Sequence, residues 1–498
     1  MIGNEGTTIP RSAGKSCILY IKIPLVNKNI YIFLIFSACS LSDEWYTLFS
    51  DRNSTYVLLS AYYTGQKDYA VAAETNDIPI AYGRKRTILH TGHIDADWNV
   101  IRPQHPEPLS DPRGTFLSCC RHPAGSSPLR SLAQGKKNIV IVTSDGTRPV
   151  PNRLLIPWIL EELEADRNRI TVILGTGTHR PNTDEEIEEM FGTAAARSLS
   201  IINHDAYSPD MNVKAGTLDN GTAVFLNRTY MESDLKIAVG FIEPHFFAGF
   251  SGGAKAIVPG IASIDTVLHA HSVSLIAHPE SRWGATDTNP LRQNIEDMTA
   301  LAPPDFLINV TLNPDKEITG IYCGDCRQAH AAGCTRAAEH AMSPVTAPFP
   351  LVITSNSGYP LDQNLYQTVK GISAASLITE RGGTVIAVSE CCDGIPDNGN
   401  FCRLMQKGES AEEILDYLFS LEQPVPDQWQ AQVLCNLLTR CRIRLFSRME
   451  RESAEICKLE YAEDLQQAVE EHIRTLGPRP RVAILPDGPL TIPYVRDK

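Results

Sequence analysis

The chain has no basic excess. Lys and Arg number 45 against 58 Asp and Glu, a formal net charge of -13 at pH 7. A nucleic-acid surface needs a cationic face to replace phosphate counterions, so that class of partner is excluded, while small anions stay within reach of a few buried cations. No apolar run is long enough to cross a bilayer, because residues 30–38 are too few and Lys22 and Lys28 interrupt any extension upstream. There is no His-Glu-x-x-His, and Cys323-x-x-Cys326 has no second pair at zinc-ribbon spacing. The 13 cysteines are odd in number and scattered, which reads as reduced thiols in a cytoplasmic protein rather than a disulfide or zinc framework. Repeats and low-complexity tracts are missing too, and at 498 residues with 43% hydrophobic content the chain is long enough for two or three domains.

Residues 1–77 do not match the remainder. Phe36-Ser37-Ala38-Cys39 behind an apolar run resembles a lipoprotein cleavage box, but acylation at Cys39 would place a thiol-rich chain outside the cell. The expectation is a poorly specified extension or an over-long start, although no methionine lies between Met1 and Met190.

What is present centres on residues 243–260. An apolar run from Leu235 stops at Glu243-Pro244, since proline has no N–H to donate and restricts the residue before it. The loop that follows carries His245, Gly249, Gly252, Gly253 and Lys255: a titratable ring and an amine among glycines that let backbone approach a ligand. The loop contains no Gly-Lys-Ser/Thr triplet and so is not a P-loop. From about residue 78 strands and helices alternate, which predicts an α/β fold. A strand over 137–143 runs into Ser144-Asp145-Gly146-Thr147-Arg148-Pro149, and Leu155, Ile159 and Leu163 then make a helix stripe. Such a turn can present free N–H groups to an anion, and Arg148 adds a fork suited to a carboxylate, though the same residues serve plain helix capping. The pattern repeats with a strand over 170–174, then Gly177-Thr178-His179-Arg180 and a capping box at Thr183 and Glu186, which sets His179 at the carboxyl end of a strand. Further strands are expected at 222–226 and 235–242. His269, His271 and His278 follow; His269 and His271 are two apart, which does not place them on one helix face, so a shared metal would require extended or turn geometry.

Pro344, Pro348 and Pro350 mark a boundary, beyond which the alternation resumes with strands at 351–354 and 384–388 and a helix over 364–379. Tyr366 and Lys370 lie four apart on one face of that helix, with Gln367 beside them. Amphipathic helices at 412–418, 428–439 and 462–476 precede a last strand at 482–485. The expected division is 78–342 as one α/β domain and 343–498 as a second, whose last strand can return to the first.

Together, residues 144–149, 177–180, 243–255, His271 and 365–370 resemble the nickel-pincer lactate racemase family, in order and over roughly 78–498. The resemblance implies two α/β domains with the active site in the cleft between them. It also implies a nickel-pincer nucleotide cofactor (pyridinium-3,5-bisthiocarboxylate mononucleotide nickel), which depends on cofactor-biosynthesis proteins. By that resemblance Lys255 would hold the cofactor, covalently in some members, with Asp145, Thr147, Gly252 and Gly253 around it, and His271 would ligate nickel. Arg148 and Lys370 would bind the substrate carboxylate, Tyr366 and Gln367 would line the pocket, and His179 and His245 would be the acid/base pair.

The chemistry suits those roles. Pulling the C2 proton from a 2-hydroxy acid sets a second negative charge beside the carboxylate, whereas removing hydride leaves a neutral ketone and asks only for a base at the hydroxyl. Imidazole, with an unperturbed pKa of about 6.5, serves at neutral pH. The expected activity is racemisation or epimerisation of a lactate-like 2-hydroxy acid. The alternatives are epimerisation of a sugar acid with the same cofactor, a non-catalytic protein that binds the nucleotide cofactor, and a zinc hydrolase built on the clustered histidines. Phe246 and Phe247, beside His245, either favour a bulkier substrate or pack in the core.

Overall fold

The computed structural model describes residues 77–396 and 399–496, with the backbone of four strands in the segment before them. Those strands, Ser16–Leu25, Lys28–Ser37, Trp45–Ser50 and Val57–Ala61, pair antiparallel in chain order within a compact unit of their own. Cys39 lies outside the described residues.

The rest forms one compact unit built on two six-stranded sheets. The first runs Ser200–Asn203, Ile170–Gly175, Ile139–Ser144, Leu235–Phe241, Phe306–Leu312, Ile318–Gly324, parallel except for the last pair. Its central strands, IVIVTS and LKIAVGF, are nearly continuous apolar runs. Strands covered by helices on both faces need that pattern, because both pleat faces are buried. The stripe Leu155, Ile159 and Leu163 of helix Asn152–Leu163 is buried in the core on one face, and Ile257, Ile261, Val267 and Leu291 pack on the other. Ala223–Asn227, expected as a further sheet strand, instead forms a separate ribbon with Asn212–Thr217.

The second sheet runs Glu460–Ala462, Arg442–Phe446, Thr379–Val388, Phe349–Ser355, Arg481–Leu485, Asp97–Val100, all parallel. Asp97–Val100 therefore belongs to this sheet although its position in the chain falls within the expected first domain. Its sequence, DWNV, is only partly buried, as an edge strand allows, and shows no apolar run to announce it. The hairpin Asp77–Tyr82 with Lys85–His90 packs its Ile78, Ile80 and Leu89 onto the same core. Arg481–Leu485 is not the last strand: Ile492–Val495 follows and pairs in parallel with Met342–Val345. Ile492 sits in a cluster otherwise made largely of first-domain residues, and Trp283 Nε1 donates to Ser373 Oγ at 3.0 Å, so the two domains share packing.

Candidate active site

Three loops leave the carboxyl ends of adjacent strands of the first sheet: 145–150, 176–180 and 242–256. Open parallel sheets bind ligands at that end. In the first two, His179 Nδ1 lies 2.8 Å from Asp145 Oδ2, and Thr147 Oγ1 donates to Asp145 Oδ1 at 2.6 Å. The Asp145 side chain is 5% exposed and that of His179 is 47% exposed, so a buried carboxylate orients a ring that still reaches solvent. Burial alone would raise the Asp145 carboxyl, but the hydrogen bonds and charge of His179, with Thr147 and Arg148, hold it below the usual range. The family resemblance implied a cofactor contact for Asp145 and Thr147; in the structure they bond each other, and Asp145 also meets His179 of the next loop.

In the third loop, Pro244–His245 pairs antiparallel with Gly249–Phe250, and a 3-10 turn over Gly253–Ala256 carries Lys255. Gly252 and Gly253 have φ of 74° and 58°, a region that favours glycine, and a Cβ on Gly252 would stand 2.7 Å from Asn309 Oδ1. His245 Nδ1 accepts the Ala248 N–H at 3.3 Å, and its ring packs on Phe246 and Phe247 with centroids at 5.0 and 4.5 Å. Burial, then the charges of Lys255, Lys370 and Arg148, push His245 well below the ordinary histidine range. Burial and then Arg292, Arg148 and Lys370 bring the Lys255 amine down to about 7.

Of the three clustered histidines only His271 faces this group. It ends helix Ile264–Ala270, is 5% exposed, and donates from Nδ1 to the Val267 carbonyl at 2.8 Å, which leaves the Nε2 lone pair free. Its ring meets Phe247 edge-on at 5.4 Å and Trp429 at 4.9 Å. Burial, reinforced by Lys255 and opposed by the Val267 bond, pushes it down to about 3, so it is neutral throughout the physiological range. His269 instead meets Thr222 Oγ1 at 3.2 Å, and His278 Nδ1 accepts the Glu280 N–H. Phe246 and Phe247 are core residues that also wall the two site histidines.

The second domain closes the group. Helix Leu365–Ser376 presents Tyr366, Gln367 and Lys370, with Lys370 Nζ donating to Gln367 Oε1 at 2.7 Å. Burial and then Arg148 depress the Lys370 amine to about 7, and Glu243 pulls the other way. Arg148, which donates to Thr147 Oγ1 at 3.1 Å, makes itself felt at Glu243, His245, Lys255, Tyr366 and Lys370, and so sits among them. Tyr366 accepts the Trp429 indole N–H at 3.0 Å, and Gln428 Nε2 donates to the His271 carbonyl at 3.2 Å. One helix, Gln428–Leu438, thus ties the His271 segment to the Tyr366 helix.

Three members were missed by sequence reasoning. Glu243 was read as the end of a strand, yet its carboxyl feels the charges of Arg148 and Lys370; desolvation raises it and those two cations draw it back. Trp429 stood in an amphipathic helix with nothing to distinguish it. Arg292 sits under the glycine loop in a helix 36 positions beyond it by number, and no local signal marks it.

Known proteins resemble the chain over both domains. The lactate racemase N-terminal domain matches residues 82–284 and the lactate racemase C-terminal domain matches 345–492. The lactate racemase of Lactiplantibacillus plantarum is 37% identical over 372 residues, 74% of this chain and 87% of that protein. That of Thermoanaerobacterium thermosaccharolyticum is 35% identical over 385 residues, 76% of this chain and 89% of the relative. The chain belongs to the lactate racemase family, a family of isomerases. The lactate racemase apoprotein structure from T. thermosaccharolyticum superposes with a TM-score of 0.78 at 32% identity, covering 84% of this chain and all of that one. A Thermotoga maritima protein, at 18% identity and a TM-score of 0.54, shares the fold. The matched ranges take in the three loops of the first sheet and helix Leu365–Ser376.

Proposed function

We propose that the protein racemises a small 2-hydroxy acid of the lactate type with a nickel-pincer nucleotide held between its two domains. The observation that carries this reading is the convergence, from both domains, of the Arg148 and Lys370 cations, the His179 and His245 imidazoles, and Lys255 with His271.

The residues fit such a cofactor. His271 offers one neutral imidazole lone pair in an apolar setting, and among the described residues no group of three or more His, Cys, Asp or Glu gathers as a ligand set. A metal at His271 therefore needs its other donors from a bound ligand, which a tridentate sulfur-bearing pincer supplies. Lys255, with its amine brought down to about 7 and so about half unprotonated at neutral pH, is suited to hold a carboxyl-derived arm. When bound, that group supplies the hydride acceptor that converts the alcohol carbon to a ketone and back.

The chain's own residues do the rest. Arg148 and Lys370 hold the carboxylate from opposite domains, which fixes C2 and its oxygen. In its neutral form His179 donates Nδ1–H to Asp145 and presents the Nε2 lone pair to the hydroxyl proton. His245 accepts at Nδ1, so its proton is on Nε2, where it can bond the same oxygen. One ring is thus set as base and the other as donor, from separate loops. Tyr366 and Gln367 border the site, and Phe246 and Phe247 keep water from its floor.

The test is intact mass, nickel content and chiral analysis of lactate after incubating the chain with cofactor. About one nickel per chain, as a single site requires, together with interconversion of D- and L-lactate, supports the reading. A chain that takes up neither nickel nor cofactor, in a preparation that loads the L. plantarum enzyme, refutes it.

A further inference from the structure

Beneath the glycine loop lies a charged group that the proposed mechanism does not use. Arg292, in helix Pro290–Ala300, is 1% exposed and is the largest fully buried side chain among the described residues. Its Nη1 donates to the carbonyls of Phe250 at 3.3 Å and Gly252 at 3.5 Å, and its Nη2 to His330 Nδ1 at 3.0 Å. His330 Nε2 in turn donates to the Ser251 carbonyl at 2.8 Å. Burial, and then Arg292, keep that imidazole far below the ordinary range, hence neutral and able to accept at Nδ1. The Gly253 N–H donates to Asn309 Oδ1 at 2.9 Å. Four consecutive residues, 250 to 253, are therefore held from below by side chains, where the short strand Gly249–Phe250 passes into the 3-10 turn Gly253–Ala256. A Cβ on Gly253 would stand 2.7 Å from Arg292 Nη2, so this backbone rests directly on the guanidinium.

A buried cation is expensive unless fully paired. Arg292 has one carboxylate, Glu296 at 3.0 Å, and that carboxylate also serves Arg327 at 2.8 Å. A nonpolar side chain of similar volume would pack there at lower cost, so the guanidinium is present for its bonds and its charge.

We propose that Arg292 is the positioning residue of the Lys255 turn: it pins carbonyls 250 and 252, seats His330 against carbonyl 251, and places a fixed positive charge behind the Lys255 amine. The inference builds on the reading of Lys255 as the residue that holds the cofactor, but its test needs no cofactor. The charged groups facing Lys255 are Arg292, Arg148 and Lys370, and the centroid of the Phe247 ring lies 5.7 Å from its Nζ.

The experiment is competitive acetylation of the full chain by acetic anhydride from pH 5.5 to 9.5, with Lys255 followed by peptide mapping against exposed Lys214. Amide hydrogen exchange is read at 250–255. Wild-type Lys255 should label with a midpoint near 7. In Arg292→Met the midpoint should rise by about one pH unit, leaving about five-fold less free amine at pH 7, and exchange in the loop should accelerate. Arg292→Lys should restore the midpoint without restoring loop protection, because one ammonium has three donors for the four acceptors that the guanidinium serves, the two carbonyls, His330 and Glu296. Glu296→Gln should move the midpoint down, since it leaves the guanidinium uncompensated. An unmoved midpoint in both Arg292→Met and Glu296→Gln overturns the proposal. If Arg292→Met does not fold, Glu296→Gln decides alone, and a midpoint that stays or rises overturns it. Should labelling follow these expectations while nickel loading fails, the cofactor reading falls and the role of Arg292 stands.

Discussion

Carboxylate binding should be linked to a proton through Lys370. Burial and the neighbouring Arg148 bring its amine to about 7 in the free protein, with Glu243 opposing. Above that pH the free site is mostly neutral at this position, whereas a bound carboxylate favours the ammonium. Binding then takes up a proton, so affinity is nearly flat below pH 6 and falls as pH rises. At pH 8 about one amine in eleven is charged, so the apparent Kd for lactate should be about tenfold weaker than at pH 6, or ~1.4 kcal/mol. Isothermal titration calorimetry of the cofactor-free chain with D-lactate at pH 6, 7 and 8, in two buffers of different ionisation enthalpy, measures both Kd and proton uptake. Lys370→Arg should abolish the pH dependence, because a guanidinium does not titrate in this range. Glu243→Gln should move the break to lower pH by removing the carboxylate that supports the ammonium. A wild-type Kd that is constant between pH 6 and 8, with no proton uptake at pH 8, would refute the account of the cation cluster.

His271→Ala should lose nickel in metal analysis while its melting temperature changes little, and His179→Ala and His245→Ala should keep nickel but lose turnover; full activity in the His245 variant would remove the two-ring mechanism. Asp145→Asn removes a charge-assisted hydrogen bond worth about 1.5–3 kcal/mol, so racemisation should slow by about ten- to a hundred-fold with nickel content unchanged. The same depressed carboxyl stabilises the fold above the unfolded carboxylate pKa of about 3.9 and loses that contribution as pH falls through its lower folded value. Acid titration of Asp145→Asn by circular dichroism should therefore show a shallower loss of stability below about pH 4 than wild type. Trp429→Phe removes the N–H donated to Tyr366 while keeping the ring against His271; a cost of about 1 kcal/mol in chemical denaturation is expected, and no cost would show that the bond adds nothing.

The groups to which chemistry is assigned announced themselves locally, and the groups that hold them did not. His179, His245 and Lys255 follow strand ends in short glycine-bearing segments, and a strand that stops at a glycine turn is visible in a linear pattern. Tyr366, Gln367 and Lys370 are legible for a similar reason, because helix periodicity predicts which side chains share a face. Asp145 was visible as a turn residue, but its partner His179 is 34 positions away, and only the pairing of the Ile139–Ser144 and Ile170–Gly175 strands brings the two within hydrogen-bond reach. The same holds more strongly for Trp429, which meets Tyr366 from 63 positions away, and for Arg292, which reaches the Phe250 carbonyl from 42. Asp97–Val100 pairs with Arg481–Leu485 from the far end of the chain, so no boundary drawn along the sequence could assign it. A buried cation or indole is chosen by the cavity it fills, and the cavity exists only after both sheets have formed. The chain nevertheless carries an indirect trace of that support: Gly252 and Gly253 are needed because Asn309 and Arg292 press on the loop from below. Their presence in the sequence reports a crowded floor as much as an approaching ligand, so a glycine-rich site loop also indicates that supporting groups lie beneath it.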